Sequence, residues 1–186
     1  MYIYRAMGVF SQTPVSRDFK GKHSTIMKWL DNFINRPITN VFRIDQDEDY
    51  EYYHPHGIFF MFDNENGLLL SAINDGISIT LEAATFKEVY DFCGCEFSET
   101  IIQEVRPGDE LNSFIGHALK AIKVGVYDNN ELLGDNFVIK QGKYAGVIIS
   151  SDKNKFTFYN ETGGWVWFDE LTFPNKSRWT LHQNGS

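Results

Sequence analysis

Apolar positions in this chain fall in short runs, many of them alternating with polar positions, and turn residues punctuate them at close intervals. Ile58 to Phe62, Leu68 to Ile73 and Ile77 to Leu81 each read as a strand, separated by Asp63-Asn64-Glu65-Asn66-Gly67 and by Asn74-Asp75-Gly76. Phe137 to Lys140, Lys143 to Ser150 and Lys155 to Tyr159 repeat that plan, with Gln141-Gly142 and Asp152-Lys153-Asn154 as turns. Trp165 to Phe168 and Ile101 to Val105 read as further short strands. Helical spacing occurs in three places. Ser24 caps a helix from Thr25 on which Ile26, Trp29, Leu30, Phe33 and Ile34 form one apolar stripe, ended by Pro37. Pro107-Gly108-Asp109 makes a turn and cap before Leu111, Phe114 and Ile115. Ala83 to Phe92 has partial helical period in Phe86, Val89, Tyr90 and Phe92.

The two series of elements align. Leu30 to Val41 matches Leu111 to Ile122 without a gap: Leu, Phe and Ile recur, and Ile38/Leu119 and Val41/Ile122 agree in kind. Beyond loops of different length, Phe62, Gly67 and Ile73 fall on Phe137, Gly142 and Ile148, and Ile79-Thr80-Leu81 on Phe156-Thr157-Phe158. The expectation is a duplicated unit of a short helix and a β-meander, with copies at about 24–84 and 109–168. No low-complexity linker divides them, so residues 1–186 are read as one α+β unit, mainly antiparallel sheet with a few short helices. With 42% hydrophobic residues among 186, the chain has ample material for a core, and disorder is excluded as its overall description. There is no apolar run of membrane-spanning length and no signal-peptide order at Met1 to Phe10, so the expectation is a cytoplasmic protein that does not engage a membrane.

Charge sharpens this picture. The net −8 divides into +5 over residues 1–43, −14 over 44–110 and +1 over 111–186. The middle segment holds sixteen Asp and Glu against Lys87 and Arg106 alone. Such a field repels nucleic acid and favours a basic partner, although a plain solvated face is an equally simple use of it. Its densest part carries Asp45, Asp47, Glu48, Asp49 and Glu51 interleaved with Tyr50, Tyr52 and Tyr53. Carboxylates make charge-assisted hydrogen bonds and tyrosines add rigid contact area, so these eight residues are the candidate partner-binding set.

Other chemistry has thinner support. The alternating oxygens from Asp45 suggest a calcium loop, but the sixth position is Tyr50 where a glycine is needed and the twelfth is His56 where a glutamate is needed. His54 and His56 have a spacing used by zinc and copper sites; a third ligand would come from His23, His117, His182 or nearby acids. A metal-dependent enzyme or metal-binding protein built on that pair is therefore the rival reading, and an acidic mimic of nucleic acid is a third. Cys93-Gly94-Cys95 is too short for a zinc knuckle and reads as buried thiols. Neither a nucleophile elbow nor a phosphate-binding glycine loop occurs, and no cofactor is expected. Trp165 and Trp167 alternate with Val166 and Phe168, so one pair joins the core and the other either anchors a partner or is covered by the segment around Trp179.

The run Phe114-Ile115-Gly116-His117-Ala118-Leu119-Lys120-Ala121-Ile122-Lys123-Val124, followed by Phe137-Val138-Ile139-Lys140-Gln141-Gly142-Lys143-Tyr144-Ala145-Gly146-Val147-Ile148-Ile149-Ser150, resembles small bacterial immunity proteins of polymorphic-toxin and contact-dependent inhibition systems. The likeness covers about 30–81 and 111–168, and Asn35-Arg36-Pro37 departs from it. It implies a cytosolic protein that catalyses nothing and neutralises one cognate toxin, often a basic nuclease. It transfers no binding residue to this sequence.

Overall fold

The computed structural model describes residues 28–45, 55–73, 78–93, 100–127, 143–160, 164–168 and 179–184. These form two antiparallel sheets, one α-helix and two 3₁₀ turns. The first sheet contains β1 (Asn40–Asp45), β2 (Gly57–Met61), β3 (Asn66–Ala72), β4 (Ile79–Thr85), β5 (Ile101–Glu104) and β7 (Lys143–Tyr144), in the order β5-β1-β2-β3-β4-β7. The second contains β6 (Leu119–Tyr127), β8 (Gly146–Ser151), β9 (Lys155–Asn160), β10 (Gly164–Phe168) and β11 (Trp179–Asn184), in the order β10-β9-β8-β6-β11. The 3₁₀ turns, η1 (Lys28–Asn32) and η2 (Glu110–Phe114), each precede a meander, and the helix α1 (Phe86–Cys93) follows β4. Antiparallel sheet thus predominates, as the alternation predicts. Among the described residues no helix is long and apolar enough to cross a membrane.

Strand alternation sorts the side chains between two cores. Val41, Ile58, Phe60, Leu68, Leu70, Ile79 and Leu81 of the first sheet meet Ile122, Val124, Val147, Ile149, Phe156 and Phe158 of the second, with Leu30, Phe33, Leu111 and Phe114 closing the end. Phe60 stacks on Phe156 at 5.6 Å between the two sheets. On its other face the first sheet sets Ile44, Phe59, Leu69 and Ala84 against Val89 and Cys93 of α1.

The seam between the halves is reciprocal. The amide of Asn35 donates to the Leu119 carbonyl at 2.7 Å, and that of Gly116 to the Ile38 carbonyl at 2.8 Å. Likewise Ile38 donates to His117 and Leu119 to Arg36, both at 2.9 Å, and Pro37 bridges Ala118. Asn35 and Gly116, matched by the sequence alignment, both have positive φ, 63° and 82°. Asn tolerates that conformation better than most side chains, and glycine adopts it without strain.

Several expectations need correction. The described part of the first predicted helix is a 3₁₀ turn, because the Asn35 amide goes to Leu119 and Pro37 cannot continue a helix; residues up to 27 lie outside the described set. The predicted helix from Ala83 starts at Phe86. Thr85 closes it with a capping box: the Glu88 carboxylate accepts from the Thr85 amide and hydroxyl at 2.8 Å, while the Glu88 amide donates to Thr85 Oγ1 at 3.2 Å. The single strand predicted over Lys143 to Ser150 is two strands in different sheets, and the chain changes sheet at Ala145, whose amide donates to Gly125 at 2.8 Å.

The two meanders, β1-β2-β3-β4 and β6-β8-β9-β10, pair in the same order. Register follows Val41–Phe60–Leu68–Ala83 across the first meander and Ile122–Ile149–Phe156–Phe168 across the second. Counted along this pairing from β1 and from β6, Phe156 holds the same place as Leu68, and Ile148 the same place as Phe59. β7, which lies between β6 and β8 in the chain, belongs to the other sheet. Phe137 to Lys140 lies outside the described residues.

Candidate functional site

Of the eight candidate partner-binding residues, Asp47, Glu48, Asp49, Tyr50, Glu51, Tyr52 and Tyr53 lie outside the described residues. Asp45 is the last residue of β1 and is only 4% exposed, so it presents no carboxylate to a partner. Its surroundings explain why. Arg43, fully buried two residues earlier on the same strand face, sets Nε 3.8 Å from Asp45 Oδ2 and Nη1 3.2 Å from Asp109 Oδ2. Asp109 in turn accepts the Leu111 amide on Oδ1 at 2.9 Å and so caps η2. One guanidinium thus ties the end of β1 to the start of η2, and Asp45 belongs to that buried cluster. A sequence signal existed: Arg43 is the last base before a long acidic stretch.

The first sheet's outer side carries part of the described acidity. The capping contact directs Glu88 to Thr85, Lys87 pairs with Asp91, Glu104 accepts from Asn40 at 2.9 Å, and Glu65 lies at the foot of α1, its carbonyl accepting the Phe86 amide at 2.6 Å. Glu82 is half-buried, and burial raises its pKa above the ordinary glutamate value. Two large hydrophobic residues stay exposed among those described, Tyr90 at 57% and Phe92 at 39%. The sequence gives both only a partial helical period with Phe86 and Val89. The structure buries Val89 and Cys93, and the Phe86-Val89-Cys93 spacing is the signal that separates them from their flanking neighbours. Tyr90 ends a series of rings: Phe42 lies 6.3 Å from Phe59, Phe86 4.6 Å from Phe42, and Tyr90 6.0 Å from Phe86.

The β-hairpin ends carry a second pair of polar sites. Asp63 accepts the amides of Glu65 at 3.1 Å and Asn66 at 2.6 Å and receives Arg36 Nη2 at 2.8 Å. The Asn66 amide, then the Arg36 guanidinium, hold its carboxyl well below the usual carboxylate range. At the corresponding place in the second half, His117 Nδ1 lies 3.0 Å from Asp152 Oδ1. An open polar depression of about 770 Å³ lies beside that hairpin, lined in part by Glu110, Ser113, Ser150 and Asp152. Its Ser151 hydroxyl accepts the amides of Lys153 and Asn154, and Asn154 donates to the Ser113 carbonyl. These contacts build the turn and do not converge on a ligand.

The rival chemistry has one described member. His56 is half-buried and burial lowers its pKa, which favours the neutral imidazole that a metal would need; His54 lies outside the described residues. Among the described residues no group of three or more His, Cys, Asp or Glu is placed to hold a metal ion. Cys93 is a buried thiol, as expected, and Cys95 lies outside the described set. For the tryptophan pair, register sets Trp165 opposite Tyr159 and Trp167 opposite Thr157. Comparison of this chain with protein-family models, with curated proteins and with solved structures finds no match.

Proposed function

We propose that this chain is a binding protein that docks an acidic, tyrosine-containing surface on a basic protein, and that its partner is a cognate toxin it neutralises, as the resemblance to immunity proteins implies. The observation that carries the reading is the charge partition: sixteen acids against two bases over residues 44–110. Both bases already have partners within that segment, Lys87 with Asp91 and Arg106 with Gln103. The field of the segment is therefore offset little from within. A basic partner meeting it gains in association rate, and rigid aromatic contacts slow dissociation. The contact set is Asp47, Glu48, Asp49, Tyr50, Glu51, Tyr52 and Tyr53, with Asp45 withdrawn because it is buried.

The reciprocal hydrogen bonds at the seam support reading the two halves as copies of one helix-and-meander unit. In that reading the acidity belongs to the first copy. The decisive experiment is coexpression with the product of the adjacent gene, followed by copurification over a salt series. The expected result is a complex at low salt whose association slows steeply as salt rises, together with rescue of growth. The combined change Asp47→Asn, Glu48→Gln, Asp49→Asn and Glu51→Gln is expected to slow association about tenfold at low salt. No complex at low salt, or no rescue, overturns the proposal.

A further inference from the structure

We infer that the outer edge of β5 is where the basic partner adds a strand to the first sheet, through an extended segment that sets a basic side chain beside Glu104. The inference rests on the reading above that the partner is a basic protein, and it names the stretch of backbone that such a partner would pair with. β5 (Ile101–Glu104) ends the sheet order β5-β1-β2-β3-β4-β7, and among the described strands it pairs with β1 alone. Directly opposite residues of an antiparallel pair alternate between exchanging both main-chain hydrogen bonds and exchanging none. The Val105 amide donates to the Val41 carbonyl at 3.1 Å, one step beyond the Phe42–Glu104 pair, so Arg43–Gln103 and Asp45–Ile101 are bonded pairs. Phe42–Glu104 and Ile44–Ile102 are then the unbonded ones. The amides and carbonyls of Ile102 and Glu104 therefore point away from β1, and no described strand meets them.

The edge is open to addition. Its register with β1 runs without a bulge, and Ile101 to Glu104 contains neither Pro nor Lys, so the usual features that turn another chain away from an edge strand are missing. The sheet's opposite edge, β7, is only two residues long and begins with Lys143. Charge complementarity selects the kind of occupant. β5 lies within the 44–110 segment of net −14, and its first residue pairs with Asp45, where the acidic run of residues 45–51 begins. Main-chain bonds accept any sequence, so the side chains beside them supply the specificity. On the α1 side of the sheet the edge shows Ile102 and Glu104, next to Ile44 and Phe42. Ile102 is half-buried and Glu104 exposed. Glu104 accepts from the neutral Asn40 amide at 2.9 Å, and among the described residues no base contacts it. An added strand therefore gains from an apolar residue opposite Ile102 and from a lysine or arginine opposite Glu104.

The test is amide hydrogen exchange of the full chain, alone and with the adjacent gene's product at low salt. In the free chain Ile102 and Glu104 are expected to exchange fast, and Gln103, bonded to Arg43, slowly. In the complex the two outward amides are expected to slow about 100-fold or more, while Gln103 stays slow. Binding kinetics of two variants add to this. Ile102→Pro removes an outward donor without breaking a bond to β1 and is expected to raise Kd about tenfold; a circular-dichroism melt within a few degrees of the parent's confirms that it folds. Glu104→Lys asks nothing new of the backbone and is expected to slow association several-fold. If the parent chain binds in a salt-dependent way while Ile102 and Glu104 still exchange at their free rates, this inference fails and the proposed function stands. If the parent chain does not bind at low salt, both fail.

Discussion

The two halves of this molecule solve the same problem with different chemistry, and the differences show where each is constrained. At equivalent seam positions the first half has Arg36 on Asp63, a cation of permanent charge, and the second has His117 on Asp152, charged only when protonated. One strand position further into the core the contrast is larger. Arg43 of β1 corresponds to Val124 of β6, so a buried ion cluster in one half stands where the other has plain apolar packing. Buried ions are tolerated only when paired, and Arg43 is paired with Asp109 from the turn that opens the second half. The halves are therefore coupled through a charge as well as through the seam and the shared core. In a third place, Gly67 of β3 corresponds to Lys155 of β9: the first strand runs under the Phe59 ring, and a side chain fits only in the second half.

The comparison breaks most sharply at the buried charge. Asp109→Ala removes both the partner of Arg43 and the cap of η2, and is expected to cost about 3–5 kcal/mol, read as a lowered urea midpoint. Arg43→Met should cost at least as much, because it leaves the Asp45 and Asp109 carboxylates buried without their cation; a clearly smaller loss would contradict the pairing. Next in size is Gly67→Ala. Its Cβ would meet the Phe59 ring and the Phe60 carbonyl, so overpacking of about 1–3 kcal/mol is expected, whereas Lys155→Ala introduces no such clash because a side chain already occupies that place.

The smallest effects sharpen the hairpin comparison. Asp63 has a folded pKa below its unfolded value of 3.8, so its contribution is fully present above that value and is lost as pH falls through it towards the folded pKa. The group is largely solvent-exposed, so screening keeps the contribution modest. Asp63→Asn is expected to lower the melting temperature by a few degrees at pH 7 and to flatten the acid limb of the stability curve below about pH 4. Asp152→Asn should do less, since the Asp152 carboxylate meets the His117 ring, whereas Asp63 also accepts two backbone amides beside the Arg36 guanidinium. A steeper acid limb in Asp63→Asn than in the parent would contradict the assignment of that limb to this carboxylate.

Much of the architecture was legible because strands and turns leave local marks. Ile58 to Phe62, Lys155 to Tyr159 and Trp165 to Phe168 lie within a residue or so of the observed strands, and Asp109 was recognised as a cap from its place before Leu111. The candidate site was less legible. Asp45 looked like one acid of a solvated series, and nothing local distinguishes a carboxylate that faces a buried guanidinium from its neighbours. Tyr90 and Phe92 share the partial helical period of Phe86 and Val89, and only the path of the sheet under α1 decides which of them is covered. The capping box at Thr85 and Glu88 was present in the sequence and would have corrected the helix start. The division of Lys143 to Ser150 between two sheets left no local mark at all.

The sequence by itself determined the predominance of antiparallel strands, the position of most turns, and the concentration of negative charge between Arg43 and Glu110. These follow from periodicity, turn chemistry and composition, which act over a few residues or over the whole chain. Only the tertiary structure decided which strands share a sheet, which acids are buried and which aromatic rings stay exposed. Those outcomes depend on contacts between residues far apart in the chain, such as Arg43 with Asp109 and Phe60 with Phe156. Packing of the whole core selects such contacts, and no local pattern carries that information.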